Sequence, residues 1–164
     1  MIRCGLLCTG LLLLAAAALA APATPFATAS REPVEITADR LEADEAAKTL
    51  VFIGHAVAQQ GDVTIRGDRL TIFTAAGGND VERIVAEGSV RIEQGQRLAT
   101  SGRAEFLRAE ERIVLTGSPR VSEGANSVKG QEIVLYLREN RSVVKGGQGG
   151  RVNAIFTPQQ QGAQ

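Results

Sequence analysis

Apolar and polar residues alternate along most of this chain, in short segments that are interrupted by glycine. In the segment RIVAEGSVRIE, which spans residues 83–93, every second position except the central Gly88 is apolar. Most of the positions between them are charged or carry a hydroxyl group. Side chains of a β-strand point alternately to opposite faces of a sheet, so this period of two predicts strands with one buried and one solvated face.

Regularly spaced glycines divide the chain into four similar units. The equivalent positions are Gly54, Gly88, Gly117 and Gly146, followed by Gly61, Gly95 and Gly124 and then by Gly67, Gly102 and Gly130. Polar segments at Asp44–Lys48, Ala75–Asp80, Arg108–Glu111 and Glu139–Arg141 close the units and are expected to form turns. Because glycine tolerates a positive φ and close backbone approach, this spacing indicates a chain that turns at fixed intervals.

The units predict an all-β fold, an elongated repeat β-jellyroll or β-taco of antiparallel strands with an apolar groove. Each unit can bury its apolar face only by stacking on its neighbours, which joins the faces into one strip. The alternation slips by one residue at Gly67 and Gly130, where a β-bulge is expected. Residues 41–48 favour a helix by propensity, but the alignment of the units predicts strand, turn and strand there.

The predicted groove-lining residues are those that keep the apolar phase in the four units. They are Phe52, Val63, Ile65, Leu70, Ile72, Ile84, Val90, Ile92, Leu98, Phe106, Ile113, Leu115, Val121, Val128, Ile133 and Leu135. Either they form a filled core, or they also bind an apolar ligand, and the alternation by itself does not separate these two interpretations.

The first twenty residues indicate export. A basic start at Arg3 is followed by an apolar run and by the small residues Ala18-Leu19-Ala20, as in a cleavable signal peptide. Cys4 and Cys8 leave with this segment, so the fold does not depend on disulfides. We therefore predict a signal peptide at 1–20, a flexible lead at 21–32, a β-repeat domain at 33–156 and a disordered polar tail at 157–164.

Composition and motifs argue against catalysis. Phosphate-loop, nucleophile-elbow and zinc-protease motifs do not occur in the sequence, and it has no Trp and a single Tyr. The single histidine, His55, falls on the polar phase, and the carboxylates group at predicted turns. Without Arg3 the chain has 17 basic and 18 acidic residues, a net charge of −1, which gives no basic excess for nucleic acid. We predict neither an enzyme nor a site for a cofactor or metal.

The repeated phrases identify a family resemblance. ITADRLEADEAAKTLVFIGHAVAQQGDVTIRGDRLTIF, VERIVAEGSVRIEQGQRLATSGRAEF and RIVLTGSPRVSEGANSVKGQEIVLYL resemble the OstA-like family, also called the LptA family. The resemblance extends over about residues 33–156. Its specificity lies in the recurrence of the phrase together with the signal and the short chain, because each short motif alone is common.

The resemblance implies a function in lipopolysaccharide transport. The ligand would be lipopolysaccharide, with the acyl chains of lipid A in the groove. The location would be the periplasm, and the protein would be a bridge between the inner and outer membranes. The partners would be an LptC-like protein anchored in the inner membrane and an LptD-like outer-membrane assembly protein. Protomers would pair end to end through their edge strands as a homo-oligomer.

Two other functions remain open from the residues alone. A secreted structural or adhesive β-repeat scaffold would have the same alternation around a dry, filled core. A secreted β-helix enzyme acting on glycans would need an exposed carboxylate pair and aromatic residues on which a sugar could stack. The second is disfavoured because Tyr136 is the only Tyr and there is no Trp.

Overall fold

A computed structural model describes residues 33–76, 80–147 and 149–158, and these form antiparallel β-strands without any helix. The strands are β1 (Glu35–Thr37), β2 (Arg40–Asp44), β3 (Thr49–Gln60), β4 (Val63–Thr74), β5 (Val81–Gln94), β6 (Arg97–Leu107), β7 (Arg112–Thr116), β8 (Arg120–Glu123), β9 (Asn126–Lys129), β10 (Glu132–Tyr136), β11 (Arg141–Lys145) and β12 (Asn153–Ile155). The predicted all-β antiparallel fold is confirmed, and residues 41–48 form the end of β2 and a turn. The predicted signal peptide (1–20), the lead up to residue 32 and residues 159–164 of the predicted tail lie outside the described residues.

The strands form one folded sheet with two halves. The long strands β3 to β6 run through both halves, whereas shorter strands complete each half separately. In the β1 half the order is β1-β3-β4-β5-β6-β8-β9-β12, and in the β2 half it is β2-β3-β4-β5-β6-β7-β10-β11. Each pair of neighbours is antiparallel, as short hairpin connections require. We call the line where the halves meet the spine.

Irregular backbone at the spine bends the sheet. On β5, Gly88 and Ser89 have φ values of +77° and +47°, and the pairing of β5 with β6 shifts between Glu87 and Val90. Two residues of β5 therefore face one residue of β6, which is a β-bulge and increases the local bend. Gly54-His55 and Gly117-Ser118 repeat this pair of positive φ angles. The predicted glycine register is thus confirmed at three corners, whereas in the fourth unit positive φ falls on Gly149 and Gly150 rather than Gly146.

Close backbone approach explains a second group of glycines. A Cβ on Gly117 would lie 2.9 Å from the Cα of Gly102, and the Gly102 amide donates a 2.8 Å hydrogen bond to the Gly117 carbonyl. A side chain at position 117 would collide with the backbone of Gly102, and a Cβ on Gly102 would be crowded at 3.3 Å from the Cα of Gly117. The backbone of β6 therefore approaches the Gly117-Ser118 corner this closely because position 117 is glycine.

Bending at the spine brings the inner faces of the two halves together. Their buried residues form one cluster, with Ala58 and Ile92 contributed by the β1 half and Leu70 and Leu115 by the β2 half. A sheet that is solvated on one face must bury the other, and here each half is covered by the other half. No helix that could cross a bilayer occurs in residues 33–76, 80–147 and 149–158.

Candidate functional site

Three rows of side chains form most of the inner face of the folded sheet, and cross-strand register defines each row. Residues that are directly opposite on paired strands share a face. In the β1 half, one inner row runs across all eight strands as Ile36, Ala58, Ile65, Ile92, Ala99, Val121, Val128 and Ala154. Every member of this row is apolar, so the row is continuous from one edge of the sheet to the other.

The β2 half supplies the other two rows. The row next to the spine comprises Leu41, Phe52, Leu70, Ala86, Ala104, Leu115, Ile133 and Val144. The row farther from the spine comprises Ala43, Leu50, Ile72, Ile84, Phe106, Ile113, Leu135 and Ser142. A single residue, Ser142 at the edge, is polar. We call the apolar surface made by the three rows the trough.

The structure places fifteen of the sixteen predicted groove residues on this face. Thirteen belong to the three rows: Phe52, Ile65, Leu70, Ile72, Ile84, Ile92, Phe106, Ile113, Leu115, Val121, Val128, Ile133 and Leu135. Val63 and Val90 lie on the same face, with Val90 buried near the spine and Val63 packed against the core from the far end of β4. Whether any of them contacts a lipid remains a prediction.

Leu98 is the exception, and its prediction as an inner-face residue is wrong. It lies opposite Glu93 on β5 and Ser122 on β8, whereas its neighbour Ala99 lies opposite Ile92 and is buried. The alternation slips at Gly102 as well as at the two predicted glycines, because Ser101 and Ala104 are both buried. Counting in steps of two through Gly102 without a slip therefore assigns Leu98 to the wrong face.

Four buried alanines of the trough are not among the sixteen predicted groove residues. Ala58, Ala86, Ala99 and Ala104 are each at most 8% exposed, and all four lie in the inner rows. Ala86 follows the period of two in the segment RIVAEGSVRIE, but alanine also occurs on both faces of sheets and in turns, so its identity alone is a weak indicator of its direction. Their position between larger residues in the cross-strand rows identifies them once the register is known.

The middle of the trough is closed, and its ends are open. Val90 and Leu115, in the central strands, are 1% and 0% exposed because the facing half covers them. Leu41, at the β2 edge, is 54% exposed although it belongs to an inner row. At the other edge Ala154 is also exposed. The apolar surface thus continues to both ends of the sheet, where no strand of the described residues covers it.

Charged residues concentrate on the outer face and at the turns. Glu87 lies on the outer face and is paired with Arg103, whereas Arg91 donates two hydrogen bonds of 2.9 and 2.7 Å to Glu93. These bonds from Arg91 are the main reason that the pKa of Glu93 lies below its ordinary value. The ion pair of Arg97 and Glu123, with 3.0 Å between Nε and Oε1, lies at the turns that border the trough.

His55 has a partner at the spine but is fully accessible. Its Nδ1 lies 2.8 Å from Oδ2 of Asp39, and this hydrogen bond is the main reason that the pKa of the imidazole is raised. The side chains are 91% and 65% exposed, so water competes for both groups. Among the described residues no group of three His, Cys, Asp or Glu side chains could hold a metal ion. The trough itself offers apolar surface, and the inner face adds the exposed hydroxyl of Ser142 at the β11 edge and the buried hydroxyl of Ser101 near the spine.

A family model described as LptA/(LptD N-terminal domain) LPS transport protein matches residues 35–141 of the chain. The chain belongs to this family. The matched range begins at the first residue of β1 and ends at the first residue of β11, so it includes nearly all of both halves of the sheet.

Individual proteins also resemble the chain over most of its length. The lipopolysaccharide export system protein LptA of Escherichia coli (strain K12) is 25% identical over 91% of this chain and 85% of its own. An uncharacterized protein of Rhizobium meliloti (strain 1021) is 29% identical over 89% and 87%. The crystal structure of LptH, the LptA-homologous periplasmic component of lipopolysaccharide transport in Pseudomonas aeruginosa, superposes with a TM-score of 0.68 over 77% of this chain and 96% of its own, at 20% identity. This last likeness supports the elongated jellyroll fold.

Proposed function

We propose that the protein is a periplasmic carrier that shields the acyl chains of lipopolysaccharide between the two halves of its sheet. The observation that supports this most directly is the trough, an apolar surface that runs through eight neighbouring strands and stays exposed at both ends. Family membership supplies the substrate class, since the family consists of LPS transport proteins.

The energetic reason for such a carrier is the cost of exposing acyl chains to water. Each methylene that leaves an apolar environment costs about 0.8 kcal/mol. A chain of a dozen methylenes thus costs on the order of 10 kcal/mol, and a lipid with several chains does not cross an aqueous space unshielded. An apolar trough with no catalytic group on its inner rows is chemically sufficient for this task.

Lipid binding requires the two halves to separate in the middle. Leu115 and Ile133 are at most 1% exposed, and both contribute to the core that joins the halves. An acyl chain would replace contacts between the halves with contacts to itself, so the apolar surface stays buried throughout. We expect chains to enter where the inner rows are already partly exposed, around Phe52 and Leu41 at the β2 edge.

The edges suit a protein that hands its cargo to a neighbour. Strands β1 and β12 each have one unpaired edge among the described strands, and Ile155 and Phe156 are 51% and 73% exposed. Unpaired strand edges with apolar side chains favour pairing with another sheet. We infer end-to-end pairing of copies, and pairing with an LptC-like protein at the inner membrane and an LptD-like protein at the outer membrane. The signal peptide predicted at residues 1–20 would place the chain in the periplasm.

A photo-crosslinking experiment tests which face meets the lipid. Phe106 lies in an inner row between Ile84 and Ile113, whereas its neighbour Leu107 lies on the outer face between Arg83 and Arg112. Both side chains are half-buried, so a photoreactive residue is tolerated similarly at either position. In living cells we expect crosslinks to lipopolysaccharide from position 106 and few or none from position 107.

A substitution at the partly exposed end supplies an independent measurement on the purified protein. Phe52→Asp places a charge in an inner row, and Val51→Asp places the same charge on the outer face of the same strand. The first should abolish saturable lipopolysaccharide binding and the second should preserve it. Equal crosslinking from both faces, or equal binding by the two variants, would exclude the trough as the lipid site.

The alternative of a structural scaffold with a filled core is not favoured. The family to which the chain belongs is one of transport proteins, and the inner rows end in apolar residues at five of their six edge positions, three of them exposed. A scaffold would also predict no saturable lipid binding, so the same experiment distinguishes the two.

A further inference from the structure

Ion pairs balance most of the cations of the sheet, but not Lys129 at the end of β9 or Arg151 just before β12. Arg83 pairs with Glu105, and Lys145 pairs with Glu132, at 3.1 and 2.6 Å. In contrast, no carboxylate of the described residues lies within 4.0 Å of the charged nitrogens of Lys129 or Arg151. Lys129 and Arg151 therefore bring two uncompensated positive charges to the β12 end of the spine.

A cleft on the outer face contains both of these cations. It has a volume of about 390 Å³, within the range of small-ligand sites, and is open to solvent. Its lining consists of two glycines together with Ser118, Lys129, Gln131, Arg151 and Asn153. Every one of these five side chains can donate a hydrogen bond, and none is a carboxylate.

The fold builds this cleft from three crossings of the spine. Lys129 ends β9, where it lies opposite Arg120 on β8 and Asn153 on β12, so all three point to the outer face. Just beyond it, a Cβ on Gly130 would lie 2.6 Å from the carbonyl oxygen of Lys145, so a side chain there would collide with the backbone. The backbone N–H of Gln131 donates a 2.8 Å hydrogen bond to that carbonyl oxygen. Glycine at position 130 thus lets the backbone lie close to β11, and it lines the cleft without a side chain that would fill it.

The chemistry of the lining selects an oxyanion. An ammonium group, a guanidinium group, a hydroxyl and two amides present donors from several sides, and a tetrahedral phosphate can accept all of them. Arg is well suited to phosphate because its planar fork can donate two parallel bonds. Arg120, directly across from Lys129 and hydrogen-bonded to Ser127 at 3.3 Å, adds a third positive charge to the local field.

We propose that this cleft, formed by Ser118, Lys129, Gln131, Arg151 and Asn153, binds a phosphate group, either as free phosphate or as a phosphorylated sugar. The site lies on the outer face at the spine and is separate from the trough, so it goes beyond the function proposed above. A negative result here would leave the lipid proposal intact.

Titrations of the purified protein, followed by backbone amide NMR, test the site with three probes. The probes are inorganic phosphate, glucosamine 6-phosphate and unphosphorylated glucosamine. We expect saturable shifts centred on Gly130, Gln131, Gly147 and Asn153 with the two phosphates and none with glucosamine. Tighter binding of glucosamine 6-phosphate than of inorganic phosphate identifies a sugar phosphate as the source, and equal binding identifies the free anion.

A charge-matched pair of variants separates the cleft from general electrostatics. Lys129→Gln/Arg151→Gln removes both cations of the cleft, whereas Lys48→Gln/Arg108→Gln removes two exposed cations at distant turns. We expect the first variant to bind phosphate at least about tenfold more weakly and the second to bind as the unmodified protein does. The proposal is overturned by absence of saturable shifts at the cleft, or by equal weakening in the two variants.

Discussion

Replacing Gly88 with alanine would disturb the corner on which the folded sheet depends. The residue has a φ of +77°, and an added Cβ would lie 2.7 Å from the Cβ of Asp68 on the neighbouring strand. It would also meet the carboxylate of Asp68. Because the Cβ of Asp68 is fixed to its backbone, the clash is relieved only if one of the two strands shifts.

The expected loss of stability has two parts. The left-handed backbone costs an L-residue roughly 1–2 kcal/mol, partly offset by the smaller entropy of the unfolded alanine chain. Overpacking against Asp68 adds about 1–3 kcal/mol. We therefore expect Gly88→Ala to lower the free energy of unfolding by about 2–4 kcal/mol.

Gly95→Ala is the matched control for the first part. Gly95 also has a positive φ, +55°, but no atom lies within 4 Å of its added Cβ. Its loss should be about 1 kcal/mol, from backbone strain alone. Urea unfolding of the two variants, compared at equal denaturant slope, measures the difference.

A double variant isolates the contact itself. Asp68→Gly removes the Cβ that the new alanine would meet, so the Gly88→Ala/Asp68→Gly protein should lose less than the sum of the two single losses. Equal losses for Gly88→Ala and Gly95→Ala, together with additivity in the double variant, would refute the idea that contact with Asp68 requires glycine at position 88.

Three further predictions follow from single side chains. Leu115→Ala should cost about 3–5 kcal/mol in urea unfolding because Leu115 is 0% exposed, whereas Leu98→Ala on the outer face should cost about 1 kcal/mol or less. The single histidine, His55, should titrate above pH 6.5 by NMR, and Asp39→Asn should lower its pKa. Ser101→Ala should leave unfolding unchanged or raise its free energy by up to about 1 kcal/mol, because the buried Oγ has no hydrogen-bond partner among the described residues.

The sign of the His55 effect follows from the raised pKa. The folded protein holds the imidazole proton more tightly than the unfolded chain, so the contribution to stability is fully present below about pH 6.5. It is lost as the pH rises through the higher pKa of the folded state. A titration at or below 6.5 would contradict the pairing with Asp39, and similar costs for the two leucine variants would contradict the assignment of faces. A clear loss of stability in Ser101→Ala would show that its hydroxyl has a partner.

Within an uninterrupted strand, the order of residues was enough to assign the faces. Ile84 and Phe106 follow the period of two on either side of a turn, and the structure places them opposite each other on the inner face. The reason is local, because the direction of a side chain in a strand depends only on whether its position is odd or even. The same holds for the turns, where polar residues and glycine match the hairpin geometry.

Only the tertiary structure decided how the phase passes from one half to the other. The alternation slips at Gly102, where this residue packs against the backbone of Gly117, fifteen positions away. The order of apolar residues does not show this contact, so Leu98 was assigned to the wrong face. The outer cleft depends on contacts of the same kind, since Ser118, Lys129 and Arg151 come from three separate crossings of the spine. A local period reports the direction of a side chain, whereas the neighbours across a bend are set by packing between distant strands.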